Sequence, residues 1–184
     1  MRENQIDCTA DDIMVTSGAS EALFLAIVAL VDRGEEVLVG DPSFLSYAEL
    51  TRLVGARPVS VPLDEDLRIT PEAIGERITK KTRMIIINSP SNPTGNLLSE
   101  ENMKAIAGLG PYIISDEIYH GLVYEGKEHS ILEFTDHAFV LNGYSKLYAM
   151  TGLRLGYLIA PERFVRPIQK MQQNFFICAS SLAQ

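Results

Sequence analysis

Short apolar runs that alternate with helical patterns limit most strongly how this chain can fold. Several runs are apolar at nearly every position, as in Met84-Ile85-Ile86-Ile87, which is typical of strands covered on both faces of a sheet. The predicted strands are residues 13–16, 37–40, 57–61, 84–88, 112–116, 139–143 and 157–160. Strands that alternate with helices in this way predict an α/β fold with a mostly parallel sheet and right-handed crossovers.

Helices are predicted between these strands and after the last one. Residues 20–32 are apolar at most inner positions. Thr70 precedes a proline and Ser99 precedes two glutamates, and both patterns are typical of a capped helix start. A final helix is predicted from residue 161 to about residue 176. The sequence contains no repeat, low-complexity tract or linker, so we place no domain boundary within it.

The composition argues against several classes of partner. Apolar residues make up 46% of the 184 positions, which is enough for one domain with a sizeable core. The net charge of −8 argues against a nucleic-acid-binding face and against an anionic membrane surface. The longest apolar run, residues 22–31, is too short to span a bilayer. We predict that Cys8 and Cys178 are free thiols in a reduced compartment, and therefore a cytoplasmic location.

Residues useful for chemistry follow the carboxyl ends of five predicted strands. They are Ser17-Gly18-Ala19-Ser20 after the first strand, Asp41-Pro42-Ser43-Phe44 after the second, residues 88–95 after the fourth, Asp116 at the end of the fifth and Lys146 after the sixth. Ligands of open α/β sheets bind beyond the carboxyl ends of the strands. The sequence therefore predicts one binding cleft at this edge of the sheet.

The candidate anion-binding and charged residues of this cleft each have a structural interpretation as well as a functional one. The run from Ser17 to Ser20 leads into a helix N-terminus, where it either caps the helix or binds an anion such as phosphate. Arg154 could hold the same anion or lie on the surface. Asp116 ends a buried run, so it either caps a turn or needs a cationic partner.

The uncharged pieces are equally ambiguous when taken alone. Asn92 either forms a surface turn with the Pro-Thr-Gly that follows or presents its amide to a ligand. Phe44 is either a core aromatic residue or a stacking face, and Tyr119 either packs near Asp116 or joins it at the ligand. Lys146 is either a solvated charge or a reactive amine.

One ligand would use all of these residues. It needs an anionic group, a flat ring, a ring atom that pairs with a carboxylate, a polar ring substituent and an aldehyde for a lysine. Pyridoxal 5′-phosphate has all five. This cofactor acts as an electron sink, and an aspartate beside its pyridine nitrogen favours the protonated form by about 1.4 kcal/mol for each pKa unit.

Five runs support a family resemblance by their order and spacing. They are Val15-Thr16-Ser17-Gly18-Ala19-Ser20-Glu21-Ala22-Leu23, Asp41-Pro42-Ser43-Phe44, Ser91-Asn92-Pro93-Thr94-Gly95, Ser115-Asp116-Glu117-Ile118-Tyr119, and Ser145-Lys146 followed by residues 151–157. By these runs the chain resembles the class I/II, fold-type I, pyridoxal-phosphate-dependent aminotransferases of the aspartate-aminotransferase-like group. The resemblance implies a three-layer α/β/α sandwich with a seven-stranded sheet and an antiparallel seventh strand. It also implies a cis peptide at Asn92-Pro93.

The resemblance also implies a role for each site residue. The implied cofactor-binding residues are Gly18, Ala19, Ser20, Phe44, Asn92, Asp116, Tyr119, Lys146 and Arg154. Lys146 would form the internal aldimine and shuttle a proton, and Asp116 would pair with the pyridinium nitrogen. Tyr119 and Asn92 would bond the phenolic oxygen, Phe44 would stack on the ring, and the other four would hold the phosphate. Lys146, Asp116 and Tyr119 are the implied catalytic residues, and none is assigned to a metal.

Two departures from the family pattern concern one residue and the chain length. Many relatives carry serine three residues before the lysine as a phosphate ligand, and here that residue is Gly143. Its absence predicts either a lower phosphate affinity or compensation by Ser17 and Ser20. The length predicts that residues 1–184 are a fragment, the large cofactor-binding domain without the amino-terminal arm or the carboxyl-terminal small domain.

Three functions remain open from the sequence. The first is amino transfer from an amino acid to a 2-oxo acid, in a homodimer as the resemblance implies. A carbon–sulfur β-lyase of the same fold would share almost every site residue. The third is a non-catalytic cofactor-binding fragment, which would bind pyridoxal phosphate without turning over an amino acid. An effector-sensing domain of a transcription regulator is disfavoured because the sequence shows no basic helix-turn-helix module.

Overall fold

A seven-stranded mixed sheet organises the chain in the computed structural model, which describes Ile6 and residues 8–184. The strands are β1 (Ile13–Thr16), β2 (Glu36–Asp41), β3 (Arg57–Pro62), β4 (Thr82–Asn88), β5 (Tyr112–Asp116), β6 (Ala138–Gly143) and β7 (Gly156–Ile159). Their order is β1-β7-β6-β5-β4-β2-β3. Strand β7 runs antiparallel to both of its neighbours, and the other pairs are parallel. The predicted α/β fold and the antiparallel seventh strand are confirmed.

Helices cover both faces of the sheet. They are α1 (Ala19–Leu30), α2 (Ser46–Leu53), α3 (Pro71–Gly75), α4 (Glu100–Ala107) and α5 (Glu162–Phe175), with 3-10 helices at Ala10–Asp12, Ile131–Glu133 and Thr151–Leu153. One core cluster joins the sheet to α1, α2 and α5. The second joins it to α3 and α4. The predicted three-layer sandwich is therefore confirmed.

Buried strands explain why the sequence pattern located the sheet so well. Met84, Ile85, Ile86 and Ile87 of β4 are each at most 2% exposed, because the two core clusters cover the two faces of this strand. Full burial of each such side chain contributes about 1.5–3 kcal/mol. The two predicted helix caps also hold, since the hydroxyls of Thr70 and Ser99 accept hydrogen bonds from the backbone N–H groups of Ala73 and Asn102.

Helix α2 is absent from the sequence prediction, and its structure shows why. Its first turn has no side-chain cap: the residue before it is Leu45, which makes no capping hydrogen bond. The helix is only eight residues long and follows Pro42. Without a start signal, the sequence gives no bounds for a helix in this segment.

Two further expectations can be compared with the described residues. Cys8 and Cys178 are free thiols, as predicted. Within Ile6 and residues 8–184, no helix has both the length and the apolar character needed to cross a membrane.

Gly143 lies where β6 packs closely against the start of β7. An added Cβ there would lie 3.0 Å from Gly156 Cα and 3.0 Å from the Leu155 carbonyl oxygen, and both contacts are backbone atoms that cannot move independently. A serine at this position would push the two strands apart. The residue therefore serves close strand packing, whatever its effect on phosphate binding.

Gly143→Ser is expected to destabilise the chain by about 1–3 kcal/mol, the usual cost of overpacking a tight site. Urea unfolding measures the change. Gly152→Ser is the matched control, because no atom lies within 4 Å of the position its Cβ would occupy. A Gly143→Ser chain as stable as the Gly152→Ser chain would contradict the packing argument.

Candidate active site

The predicted site residues meet in one cleft at the carboxyl end of the sheet. Eight of the nine line it: Ala19, Ser20, Phe44, Asn92, Asp116, Tyr119, Lys146 and Arg154. The cleft encloses about 720 Å³ of empty space, part of it open to solvent.

Gly18, the ninth residue, lies behind the cleft against the arginine. A Cβ added to Gly18 would lie 2.6 Å from Nη2 of Arg154, and the φ of this glycine is +82°. Both features favour glycine here, because a side chain would displace the guanidinium. Arg154 itself has a left-handed backbone, and its Nη1 donates to the carbonyl oxygen of Thr151 at 3.1 Å.

The turn before α1 forms the anion-binding side of the cleft. Ala19 is the first residue of α1, a 12-residue helix, and Ser20 follows it at the cleft wall. The positive end of the helix dipole and the Arg154 guanidinium thus face the same space, as a phosphate requires. Ser17 is not among the lining residues, and its N–H donates to Glu21 Oε2 at 2.7 Å. Of the two serines considered as substitutes for the missing serine at position 143, only Ser20 lines the cleft.

Asp116 is a buried carboxylate held by neutral donors. Its side chain accepts hydrogen bonds from the Tyr47 hydroxyl at 2.8 Å and from the Ile118 N–H at 3.2 Å. Burial raises the pKa of Asp116, an effect partly opposed by these two donors and by the charge of Lys146. Among the described residues, no lysine, arginine or histidine nitrogen lies within 4.0 Å of this carboxylate. The group is therefore suited to a ligand that brings a positive charge into the cleft.

Lys146 and Tyr119 face each other across the cleft. The Lys146 ammonium lies 5.6 Å from the centre of the Tyr119 ring. Tyr119 follows Asp116 in a hydrogen-bonded turn rather than in a helix, since His120 N–H donates to the Glu117 carbonyl oxygen at 3.0 Å. A primary amine, a phenol and a buried carboxylate thus surround one small space.

The loop after β4 brings an asparagine pair to the same edge. Asn88 Nδ2 donates to the Asp116 carbonyl oxygen at 2.8 Å, and Asn88 Oδ1 accepts from the Asn92 N–H at 2.6 Å. The peptide bond between Asn92 and Pro93 is cis, as predicted; two further cis bonds, at Asp41-Pro42 and Ser89-Pro90, were not predicted. Asn88 therefore links the fifth strand to the loop that carries Asn92.

Tyr47 lines the cleft but is absent from the predicted site residues. It is 2% exposed, belongs to α2, and packs edge-on against Phe44 with ring centres 5.5 Å apart. Burial and the neighbouring Asp116 charge raise the pKa of Tyr47 well above its usual value, so its hydroxyl remains a donor at physiological pH. Tyr47 follows Phe44 by three residues, but this spacing predicts a contact between the two rings only once the segment is known to turn into a helix.

Tyr47→Phe is expected to destabilise the chain by about 1–3 kcal/mol at pH 7, because a buried carboxylate oxygen loses its donor. Urea unfolding checks this. Tyr148→Phe, which removes a hydroxyl from a half-exposed tyrosine, is the control and should change the unfolding free energy by no more than about 0.5 kcal/mol. Equal effects of the two substitutions would show that the hydrogen bond to Asp116 contributes nothing.

Comparison with known proteins places this cleft in a family. The family model described as aminotransferase class I and II matches residues 1–184. The chain belongs to the class I and II aminotransferases. It is similar to a probable aspartate aminotransferase of Methanocaldococcus jannaschii, at 43% identity over 97% of this chain and 50% of the relative. It is also similar to the (5-formylfuran-3-yl)methyl phosphate transaminase of that organism, at 44% identity over 97% of this chain and 47% of the relative.

Solved aminotransferase structures share the fold. The structure of Thermus thermophilus aspartate aminotransferase with maleate superimposes on this chain with a TM-score of 0.96 at 35% identity. The match covers 100% of this chain and 50% of the Thermus thermophilus chain. The chain spans about half the length of the curated relatives it matches. The family assignment therefore covers every described element, whereas the relatives contain as much again beyond it.

Proposed function

We propose that this aminotransferase chain binds pyridoxal 5′-phosphate in the cleft and carries the cofactor half of an amino transfer from an amino acid to a 2-oxo acid. The observation that carries the proposal is Asp116, a buried carboxylate that shares one cleft with Lys146 and Arg154 but has no lysine, arginine or histidine nitrogen of the described residues within 4.0 Å. A pyridine nitrogen, an aldehyde and a phosphate would satisfy these three residues respectively. When bound, the cofactor supplies an electron sink for the α-carbon of the amino acid.

Each side chain of the cleft would then have a separate role. Asp116, kept hydrogen-bonded by Tyr47, would hold the proton of the ring nitrogen in place. Lys146 would supply the amine for the aldehyde and then move a proton at the substrate α-carbon. Tyr119 and Asn92 would bond the phenolic oxygen, and Phe44 would cover one face of the ring.

The phosphate would be held at the turn before α1. The N-terminus of this helix, with Gly18, Ala19 and Ser20, offers backbone and hydroxyl donors, and Arg154 adds a positive charge. The position of Gly18 behind the guanidinium supports this role, since any side chain there would push Arg154 into the space proposed for the anion.

Substrate, domain organisation and assembly also belong to the proposal. We infer that residues 1–184 are the large domain of a longer enzyme, because the matched relatives are about twice as long. We also propose that this enzyme is a homodimer, as the family resemblance implies. Aspartate is the first amino donor to test, because the names of several relatives specify aspartate aminotransferases.

The test is a visible absorbance spectrum of the chain with pyridoxal phosphate, recorded before and after addition of aspartate or glutamate. We expect a band that Lys146→Ala abolishes and that an amino acid bleaches. A 2-oxo acid should restore the band. A β-lyase would instead release pyruvate from cystathionine, and a non-catalytic fragment would keep its band with every amino acid. The absence of a Lys146-dependent band would overturn the proposal.

A further inference from the structure

Glu117 is a buried carboxyl group beside the cleft that the proposed chemistry does not use. It is 0% exposed and follows Asp116 at the end of β5. Its Oε1 accepts three hydrogen bonds, from Ser115 Oγ at 2.9 Å, from Ser130 Oγ at 3.0 Å and from the Ile131 N–H at 3.1 Å. These bonds join the end of β5 to the 3-10 helix that starts at residue 131, and so close the segment between them, the 117–131 loop.

The 117–131 loop carries Tyr119, whose side chain lines the cleft. Two other carboxylates support the loop from its surface: Glu128 accepts from the Gly121 N–H at 2.9 Å, and Glu133 accepts from the Ser130 N–H at 2.9 Å. Glu117 differs from both because it is enclosed and bonds both ends of the loop. Its side chain therefore determines whether the loop closes over the core.

The surroundings of Glu117 favour the neutral acid. Burial raises the pKa of Glu117 to about 8, although the three hydrogen bonds to Oε1 oppose this effect, and the charge of Asp116 adds to it. Among the described residues, its Oε2 has no hydrogen-bond partner; it lies 3.5 Å from Nδ1 of His120, whose own pKa is lowered by burial. The titratable groups that face Glu117 are Asp116, His120 and Tyr157, and those around His120 are Glu128, His129 and Glu133. Apart from the histidines, this surrounding set contains no potential cation.

We propose that Glu117 is a positioning residue for the cleft, an enclosed side chain that fastens the 117–131 loop and so keeps Tyr119 and Asp116 at the cofactor. The inference rests on the proposed function and adds a residue to it. Loss of the proton would leave a second negative charge buried beside Asp116. The desolvation cost of that charge would favour opening of the 117–131 loop, which exposes Glu117 to water. Cofactor affinity should then fall in the alkaline range.

Two variants separate the shape of this side chain from its charge. Glu117→Gln keeps an oxygen that can accept the three hydrogen bonds and stays neutral at every pH. Glu117→Ala removes the bonds. The measured quantity is the dissociation constant of pyridoxal phosphate between pH 6.5 and 9.5, followed through the Lys146-dependent visible band. Glu125→Gln, at an exposed position of the same loop, is the matched control.

We expect Glu117→Gln to bind within about 2-fold of the unmodified chain at pH 6.5 and at least about 10-fold more tightly at pH 9.5. Glu117→Ala should bind at least about 10-fold more weakly at pH 6.5. A constant ratio between the unmodified and Gln chains across the pH range would overturn the inference. So would a Gln chain as weak as the Ala chain at pH 6.5, since the ionised carboxylate would then be the required form.

Hydrogen exchange of the cofactor-free chain provides a second readout. Glu117→Ala should speed amide exchange in the 117–131 loop while Glu117→Gln leaves it unchanged at pH 7. If the Ala chain does not fold, the pH-dependent ratio of the Gln chain decides. If no chain shows a Lys146-dependent band, the proposed function fails, and loop exchange still decides whether Glu117 fastens the loop.

Discussion

Asp116→Asn is expected to slow the conversion of the bound cofactor by an amino acid by about 100-fold, which corresponds to about 2.7 kcal/mol in the barrier. The substitution preserves the shape of the side chain but removes the negative charge and replaces one of the two acceptor oxygens with an amide donor. The proposed pyridine nitrogen then loses the partner that keeps it protonated, and each pKa unit lost corresponds to about 1.4 kcal/mol. Stopped-flow absorbance of single half-reactions measures the rate without a second substrate.

The same substitution should not lower the free energy of unfolding of the cofactor-free chain. Burial raises the pKa of Asp116, so the folded state pays a desolvation penalty for its charge at pH 7. The Asn chain is therefore expected to be at least as stable as the unmodified chain in urea unfolding at pH 7. Asp41→Asn, at the exposed end of β2, is the matched control and should change neither quantity. An undiminished half-reaction rate in the Asp116→Asn chain would remove Asp116 from the proposed site.

Glu117→Gln is expected to make the cofactor-free chain more stable by roughly 3–5 kcal/mol at pH 8. The pKa of Glu117 is raised from 4.5 to about 8, so the folded state binds a proton that the unfolded state has released between these values. Stability contributed by this proton is fully present below pH 4.5, falls as the pH rises, and is lost above about pH 8. The Gln chain lacks this slope, so the two curves should meet near pH 4 and separate with rising pH.

Urea unfolding at several pH values measures this separation. The raised pKa of Asp116 gives a slope of the same sign, but it is present in both chains and cancels in the difference. Glu101→Gln, an exposed glutamate on α4, should give a curve parallel to that of the unmodified chain. Parallel curves for the Glu117→Gln chain would mean that Glu117 is ionised in the folded protein.

The sheet could be predicted because its strands are buried on both faces. Runs such as residues 84–87 have no polar face to obscure the pattern, and the strand positions agree with the structure to within two residues. The site followed from the sheet, since residues at the carboxyl ends of parallel strands must converge. Eight of the nine predicted residues line the cleft, while their roles stay predictions.

The residues that escaped prediction depend on contacts that no local pattern records. Tyr47 reaches Asp116 across 69 positions of sequence, from a helix without a capping signal. Glu117 is one acid in a run of charged and polar residues, and only the fold shows that it is enclosed by Ser130 and Ile131. A single sequence indicates which side chains are chemically useful, but the partners that tune them come from distant segments.

Strand β1 pairs with β7 alone, so that Thr16 lies opposite Gly156 although 140 positions separate them. The turn that would hold the phosphate follows β1 directly, and it packs on Gly156 so closely that a Cβ there would lie 2.7 Å from the Gly18 carbonyl carbon. Contacts of such long range form late, because the intervening chain must first be ordered. We therefore expect a nascent chain that ends before β7 to lack the proposed anion site. Retention of nascent chains on an immobilised phosphopyridoxal ligand would then show that synthesis and folding had reached β7.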